Sequence, residues 1–530
     1  MSAKCCHLRN KWTEGGRCIA LPPGFIGSEG TTGVFMSRFA LWSRRRFLQA
    51  TAVSIPVATA LSGAEGFAAP AKGSDAAALQ ARIAGTVVVK GDDGYETWRE
   101  AMIWQRAKAD RRPDMIVQVE RVEDVQEAVR FAAANGMKVT TRCGGHSMAA
   151  CFLRDRGMLI DVSRLDGIAV DKAPKVATVG PGVFSRGLAE RLAEDDLAFP
   201  GAHCGTVPIS GFLLGGGVGL NTNAWSQGMS VFAVKAVDIV TADGRLLRAS
   251  ETENRDLFWA ARGGGPGLFG VVVRFHLQCF DAPKVIWGAS YTFAYGELDA
   301  VTRVMDTVVP RLDKDVEVLF AVAAAPDVAE DAPVEQRQRI YLDINAFVAS
   351  EAEGRRKLAP LLGDPLIARA IDRIENRAGN FDRYYSDNEA SFPQGYWMGD
   401  DAWIDRPMEA VEILKRHIPN CPAPRGTPLL LYMGTNKMPD AACSRIGRFY
   451  LAYYMEWDEP AQEAASRAYC LKLFKELKSV SSGSYINEMD QEGRPEDIRD
   501  CYSPEAWARL ARLRRQWDPK GVFHGFYGQS

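Results

Sequence analysis

Three glycine-rich segments hold most of the residues that could do chemistry in this chain. The first is Arg142-Cys143-Gly144-Gly145-His146-Ser147. A glycine turn directly after an apolar strand lets a phosphate reach backbone N–H groups, and a neutral imidazole at its end is a nucleophile. The second starts at Phe199-Pro200-Gly201-Ala202-His203-Cys204-Gly205-Thr206-Val207 and continues through Gly211 into Gly215-Gly216-Gly217-Val218-Gly219. Glycine at this density bares the backbone to a flat ligand, and Cys204 is a second nucleophile once ionised. A tight turn with a satisfied histidine and a cysteine buried as a small apolar side chain are the plain structural alternatives. The third is Gly263-Gly264-Gly265-Pro266-Gly267-Leu268-Phe269-Gly270-Val271-Val272, where glycine meets a β-branched strand. No segment has the Gly-Lys-Ser/Thr of a P-loop, and none fits the dinucleotide fingerprint that opens a helix after a strand.

The elements that position these residues read as follows. Met115–Val119 predicts a strand, and Val125, Ala128, Val129 and Ala132 recur at helical spacing until Asn135-Gly136. Lys138–Arg142 predicts the strand that delivers the chain to Cys143. Further strands are expected at Met158–Val162, Lys175–Val179 and Val271–Cys279, a helix at Val183–Ala193, and a hairpin at Ala236–Ala249 around Ala242-Asp243-Gly244. Beyond residue 280 come strand candidates at Val285–Phe293, Val316–Ala323, Ile340–Phe347, Leu429–Met433 and Phe449–Trp457. Helices lie between them, such as Leu298–Val309 and Ala461–Leu477, and Ala324–Pro333 reads as a loop. That pattern suits an antiparallel sheet with helices on one face and a pocket on the other.

The whole chain sets bounds. At 530 residues it is long enough for two or three domains. A net charge of −2 removes the electrostatic case for a nucleic-acid binder. No apolar run of membrane-spanning length occurs, so no stable membrane anchor is expected. Eleven irregularly spaced cysteines argue against a disulfide framework, and six scattered histidines give no metal cluster, so no metal is expected. Ser43-Arg44-Arg45-Arg46-Phe47-Leu48-Gln49 precedes the uncharged stretch Ala50–Gly63, and Ala69-Pro70-Ala71 suits cleavage. Residues 1–71 therefore read as an N-terminal extension and a signal peptide resembling the twin-arginine type, with Met36 an alternative start. Export by the twin-arginine machinery implies a periplasmic or secreted protein that crosses the membrane already folded.

Together the three glycine segments resemble the berberine-bridge-enzyme-like group of the vanillyl-alcohol-oxidase, PCMH-type FAD-binding superfamily, over roughly residues 80–280. The resemblance implies that the 142–147 turn, with Arg142, Cys143, Gly144, Gly145 and Ser147, binds the FAD pyrophosphate and that His146 bonds to the flavin 8α-methyl. It implies that Cys204 bonds to flavin C6, making the FAD covalent and bicovalent. Val179-Gly180-Pro181-Gly182 matches a further cofactor loop. Thr206, Val207, Gly211, Gly216, Gly217, Gly219 and Val271 fall in the cofactor-binding segments. Neutral imidazole and thiolate both add to an electrophilic flavin. Val207 implies an oxidase, with dioxygen as second substrate; Pro208 departs from the usual glycine and stiffens the same loop. His203 has no matching role.

Ser484-Tyr485-Ile486-Asn487 resembles the family's Tyr-x-Asn segment, which makes Tyr485 the expected catalytic base and places Asn487 beside the cofactor. A phenol serves as base only if its pKa is lowered. The glutamate that serves some alkaloid-acting relatives is missing near Met438–Arg445, where only Asp440 lies. Trp517-Asp518-Pro519-Lys520-Gly521-Val522-Phe523 resembles a closing segment that packs back on the FAD domain. The expected fold is α+β: a two-part PCMH-type FAD-binding domain (80–280 and 482–530) with an inserted substrate domain (281–481) of antiparallel sheet covered by helices. The expected function is oxidation of a hydroxyl- or amine-bearing carbon of a small molecule by hydride transfer to FAD, with O2 reoxidation yielding H2O2. A flavin dehydrogenase, an oxidative cyclase and a non-catalytic exported flavin-binding protein are the alternatives.

Overall fold

The computed structural model describes residues 75–528 apart from 226–227, 327, 330 and 436, so the proposed signal in residues 1–71 lies outside the described residues. Four sheets organise the chain. The first holds β1 (Thr86–Val89), β2 (Met115–Gln118), β3 (Val139–Arg142) and β4 (Met158–Asp161) in the order β1-β2-β4-β3. β2 and β3 flank the helix Val122–Ala134 and both pair with β4 in parallel. The helix turns its apolar face, Val125, Ala128, Val129 and Ala132, into the core and stops at Gly136, whose φ of 64° only glycine takes readily. The strand–helix–strand read from the sequence is therefore present, and β3 ends where the first glycine turn begins.

The second sheet joins β5 (Ile168–Asp171) and β6 (Val176–Val179) to later strands. After the short β7 (Leu197–Ala198) come β8 (Val234–Thr241), β9 (Leu246–Ser250) and β10 (Gly270–Gln278), in the sheet order β5-β6-β10-β8-β9. β7 pairs with β11 (Phe280–Asp281). The β8–β9 hairpin turns at Gly244, φ 76°.

The large sheet follows: β12 (Val285–Ala294), β13 (Val316–Ala324), β14 (Gln338–Val348), β15 (Asp372–Gly379), β16 (Tyr396–Ile404), β17 (Arg425–Tyr432), β18 (Phe449–Trp457) and β19 (Ser481–Gly483), ordered β15-β12-β14-β13-β17-β18-β16-β19. Every pair in it is antiparallel. Period-2 geometry divides each strand between two cores. In β18, Phe449, Leu451, Tyr453, Met455 and Trp457 pack on one face with residues of the helices Leu298–Thr307, Pro407–His417 and Glu463–Leu477. Tyr450, Ala452 and Tyr454 face the other core, shared with Phe199, Phe212, Val218 and Tyr485.

β1, β5, β7, β11, β15, β16 and β19 were not among the strands read from the sequence. β16 carries Gly399-Asp400-Asp401 in its middle, which reads as a turn, yet Arg494 ion-pairs with the buried Asp400 (Nη2–Oδ1 2.5 Å) and lets the carboxylate sit in a strand. β15 is polar because it is an edge strand with exposed residues. The C-terminus returns to the first sheet: Val139 N–H donates to Val522 O (2.7 Å), and the Asp518 carboxylate accepts from Val522 and Phe523 N–H.

Candidate cofactor and substrate site

The turn after β3 is shaped by contacts that tolerate only glycine. A Cβ on Gly144 would lie 2.6 Å from Pro208 Cδ, and one on Gly145, at φ 70°, would lie 1.9 Å from Met102 O. The N–H groups of Gly144, Gly145, His146 and Ser147 find no acceptor among the described residues. Four consecutive unspent donors form an anion-binding concavity, which fits a pyrophosphate. Arg142 stands behind the turn, bonded to Asp161 (3.2 Å) and Met102 O (3.2 Å); its side chain fixes the turn. Cys143 is buried, with its Sγ donating to Pro181 O (3.1 Å), which brings the 179–182 loop alongside. Gly180 is needed there because a Cβ would meet Leu165 O at 2.0 Å. Ser147 Oγ accepts from Cys151 N–H.

His146 stacks on Trp104, ring centroids 5.0 Å apart and 21° from parallel. Burial pushes its pKa down to about 4, against a hydrogen bond to the Thr206 main chain. The ring is therefore neutral at pH 7, the form that is nucleophilic. That bond, with the Gly144–Pro208 contact, sets the turn against the 202–208 loop. Pro208, the departure from the usual glycine, is the residue on which Gly144 rests.

Ser185 shapes the second loop: its Oγ donates to Val207 O (2.9 Å) and accepts from Ala202 N–H (3.2 Å). Cys204 is half-buried. Burial, then the nearby carboxylates of Glu389 and Glu488, push its thiol up to about 12. Cys204 therefore rests as a thiol. Next to it, His203 pairs with the buried Glu317 of β13 (Nε2–Oε2 3.3 Å). Glu317 also accepts from Tyr384 OH (2.8 Å) and Asn221 N–H (2.6 Å).

The 215–219 loop runs beside this one, through an Ala202–Gly219 bridge. Gly216 (φ 125°) and Gly217 (φ 82°) take conformations that favour glycine. Tyr485 lies beneath. It is 4% exposed, and its hydroxyl accepts from Gly217 N–H (3.0 Å), Val218 N–H (3.3 Å) and Asn487 Nδ2 (2.8 Å). Burial and then Glu488 push its phenol far up, outweighing those three donors. The phenol expected as base is thus buried against the glycine loop, with its pKa raised rather than lowered. Asn487 also donates to Gly211 O and Phe212 O, so it anchors the helix Ile209–Leu214. Val271 is buried in the core beside the first sheet, in the same cluster as Cys143 of the turn.

A narrow cleft begins where the turn ends. Ser147, Met148 and Ala149 line one side, Trp397, Met398 and Gly399 of β16 another, and residues 487–490 the floor. Glu488 and β16 were missed from the sequence; the alternation Trp397, Gly399, Asp401, Trp403 was the signal for the strand. Among the described residues no group of side chains could hold a metal, all eight cysteines are unpaired thiols, and no helix is long and apolar enough to cross a membrane.

Comparison with known proteins agrees with this geometry. The profile of the FAD binding domain matches residues 113–250, from β2 through β9. The chain is 26% identical over 81% of its length to the FAD-linked oxidoreductase nodO of Hypoxylon pulicicidum, covering 94% of that protein. It is 26% identical over 84% of its length to the (R)-6-hydroxynicotine oxidase of Paenarthrobacter nicotinovorans, covering 96%. The fold matches Physcomitrella patens BBE-like 1 with a TM-score of 0.72 at 18% identity, over 86% of this chain and all of that one. The chain is an oxidoreductase that carries an FAD binding domain in residues 113–250 and has the fold of the berberine-bridge-enzyme-like proteins.

Proposed function

We propose that the protein oxidises a hydroxyl- or amine-bearing carbon of a small molecule, with FAD held covalently by His146 and Cys204. The carrying observation is the apposition of a neutral, stacked His146 and four unspent N–H groups to the Cys204 loop, joined through Pro208 and Thr206. When bound, FAD supplies the two-electron acceptor. The chain's residues cradle its pyrophosphate (144–147), tether it, and present the cleft between Ser147 and β16 to the substrate. Residues 80–280 with 482–530 form the cofactor part and 281–481 the substrate part. Dioxygen is the proposed reoxidant, with Val207 beside the tethering cysteine, and the extension and signal in residues 1–71 direct export by the twin-arginine route to the periplasm or beyond.

Acid precipitation tests the tether: yellow colour in the denatured pellet supports it, and colour left wholly in the supernatant refutes it. Stopped-flow mixing of the reduced protein with air tests the oxidase reading, which slow reoxidation would overturn. A relative in this comparison is named an oxidase of 6-hydroxynicotine, an amine, which keeps CH–NH oxidation within the substrate range.

A further inference from the structure

Glu488 sits on the floor of the cleft, three residues beyond Tyr485, in contact with the space between Ser147 and β16. Two tyrosines of β18 clamp it. Tyr450 OH donates at 2.7 Å and Tyr454 OH at 2.5 Å, both to Oε2. Both phenols are buried, and burial followed by the Glu488 charge holds their pKa values well above the ordinary 10. They remain protonated and donate; neither takes a proton itself. The second carboxylate oxygen, Oε1, accepts no hydrogen bond among the described residues, and the side chain keeps partial exposure. One oxygen is fixed and the other is open, which is how a positioned proton acceptor must be held.

The surroundings favour a cation. Phe392 packs on Trp397 (5.5 Å) and edge-on to Tyr454 (5.4 Å), so aromatic rings wall the carboxylate. Asp490 adds a second carboxylate to the lining. Arg467, the one basic side chain of the lining, is engaged by Glu463 (2.8 Å) and Glu492 (3.7 Å).

We propose that Glu488, rather than Tyr485, contacts the substrate as its proton acceptor, and that the substrate is an amine entering as its ammonium form. This rests on the FAD-linked reading above. The ammonium N–H bond breaks and its proton passes to Glu488 Oε1, freeing the nitrogen lone pair. The adjacent C–H bond then breaks and its electron pair leaves with the hydrogen to FAD, forming the C=N bond of an iminium that water hydrolyses. The substrate is oxidised by two electrons and FAD reduced by two.

The test uses purified holoprotein titrated with phenethylammonium and, separately, with 2-phenylethanol, read by perturbation of the flavin absorption band. The parent should bind the ammonium at least about tenfold more tightly than the alcohol. Glu488→Gln should cut that preference to about twofold, Glu488→Asp should keep most of it, and Tyr485→Phe should leave it intact. Equal binding in the parent, or a preference that survives Glu488→Gln, overturns the proposal. So does a preference lost in Tyr485→Phe alone. In a panel of cyclic and arylalkyl amines, any that bleaches the flavin without air should do so about 10²- to 10⁴-fold more slowly in Glu488→Gln. A rate unchanged by that substitution also overturns it. Denatured spectra separate the two readings: a parent without flavin sinks the cofactor reading, and flavin without amine preference sinks only this one.

Discussion

His203 Nε2 lies 3.3 Å from Glu317 Oε2, so an ion pair ties the Cys204 loop to the middle of the large sheet. Burial opposes the charge on each partner, and each nevertheless has its charged form favoured by the other: His203 is raised and Glu317 lowered. A raised histidine contributes stability below its unfolded value of about 6.5 and loses it as pH rises through the folded value. A lowered glutamate contributes above about 4.3 and loses it as pH falls. The pair therefore stabilises most between about pH 4.5 and 6.5. Removing one partner of such a pair costs about 3–5 kcal/mol. Thermal melts of Glu317→Gln against the parent should show the largest deficit in that window, narrowing toward pH 9. A deficit independent of pH would contradict the ion-pair role.

The two tethers should respond differently to pH. Burial pushes the His146 imidazole down to about 4 and the Cys204 thiol up to about 12. Flavin attachment to apoprotein through His146 should proceed at a constant rate from about pH 6 to 9, since the imidazole is neutral throughout. Attachment through Cys204 should quicken about tenfold per pH unit over the same range, because the thiolate fraction does. Peptide mapping after timed incubation with FAD follows both links separately.

Gly145→Ala places a methyl 1.9 Å from Met102 O at a φ of 70°. Strain of this kind costs on the order of 1–3 kcal/mol, and relief requires the 144–147 cradle to move. Bound FAD per chain should fall steeply while the far-ultraviolet circular dichroism is kept. Gly296→Ala is the control, since a Cβ there meets nothing within 4 Å and flavin content should stay at the parent level.

Tyr485→Phe removes the acceptor for Gly217 N–H, Val218 N–H and Asn487 Nδ2. Leaving buried donors unpaired costs about 1–3 kcal/mol. Melting temperature should fall, while the rate of flavin bleaching by a reducing amine stays within about threefold of the parent. A bleaching rate lost at unchanged melting temperature would restore Tyr485 as the base.

Much of the fold could be read from the residues because its cofactor-side strands are short, apolar and stopped by glycine. β2, the helix Val122–Ala134 and β3 fall within one or two residues of their sequence positions. β16 escaped because Asp400 and Asp401 look like turn residues until Arg494, nearly a hundred positions away, is placed against Asp400. The site divides along the same line. His146, Cys204 and the glycines announce themselves by local spacing, whereas Glu488 gains meaning only when β18 folds Tyr450 and Tyr454 over it. Tyr485 stands out by its motif, and only the fold shows that its hydroxyl accepts from the loop above.

The most direct measurement is mass mapping of flavin-bearing peptides from denatured protein, for the parent, His146→Ala, Cys204→Ala and the double variant. The prediction is one FAD joined to both the His146 and the Cys204 peptides in the parent, one remaining link in each single variant, and none in the double. FAD that dissociates from the denatured parent, or that is attached to neither peptide, would contradict covalent attachment at this site.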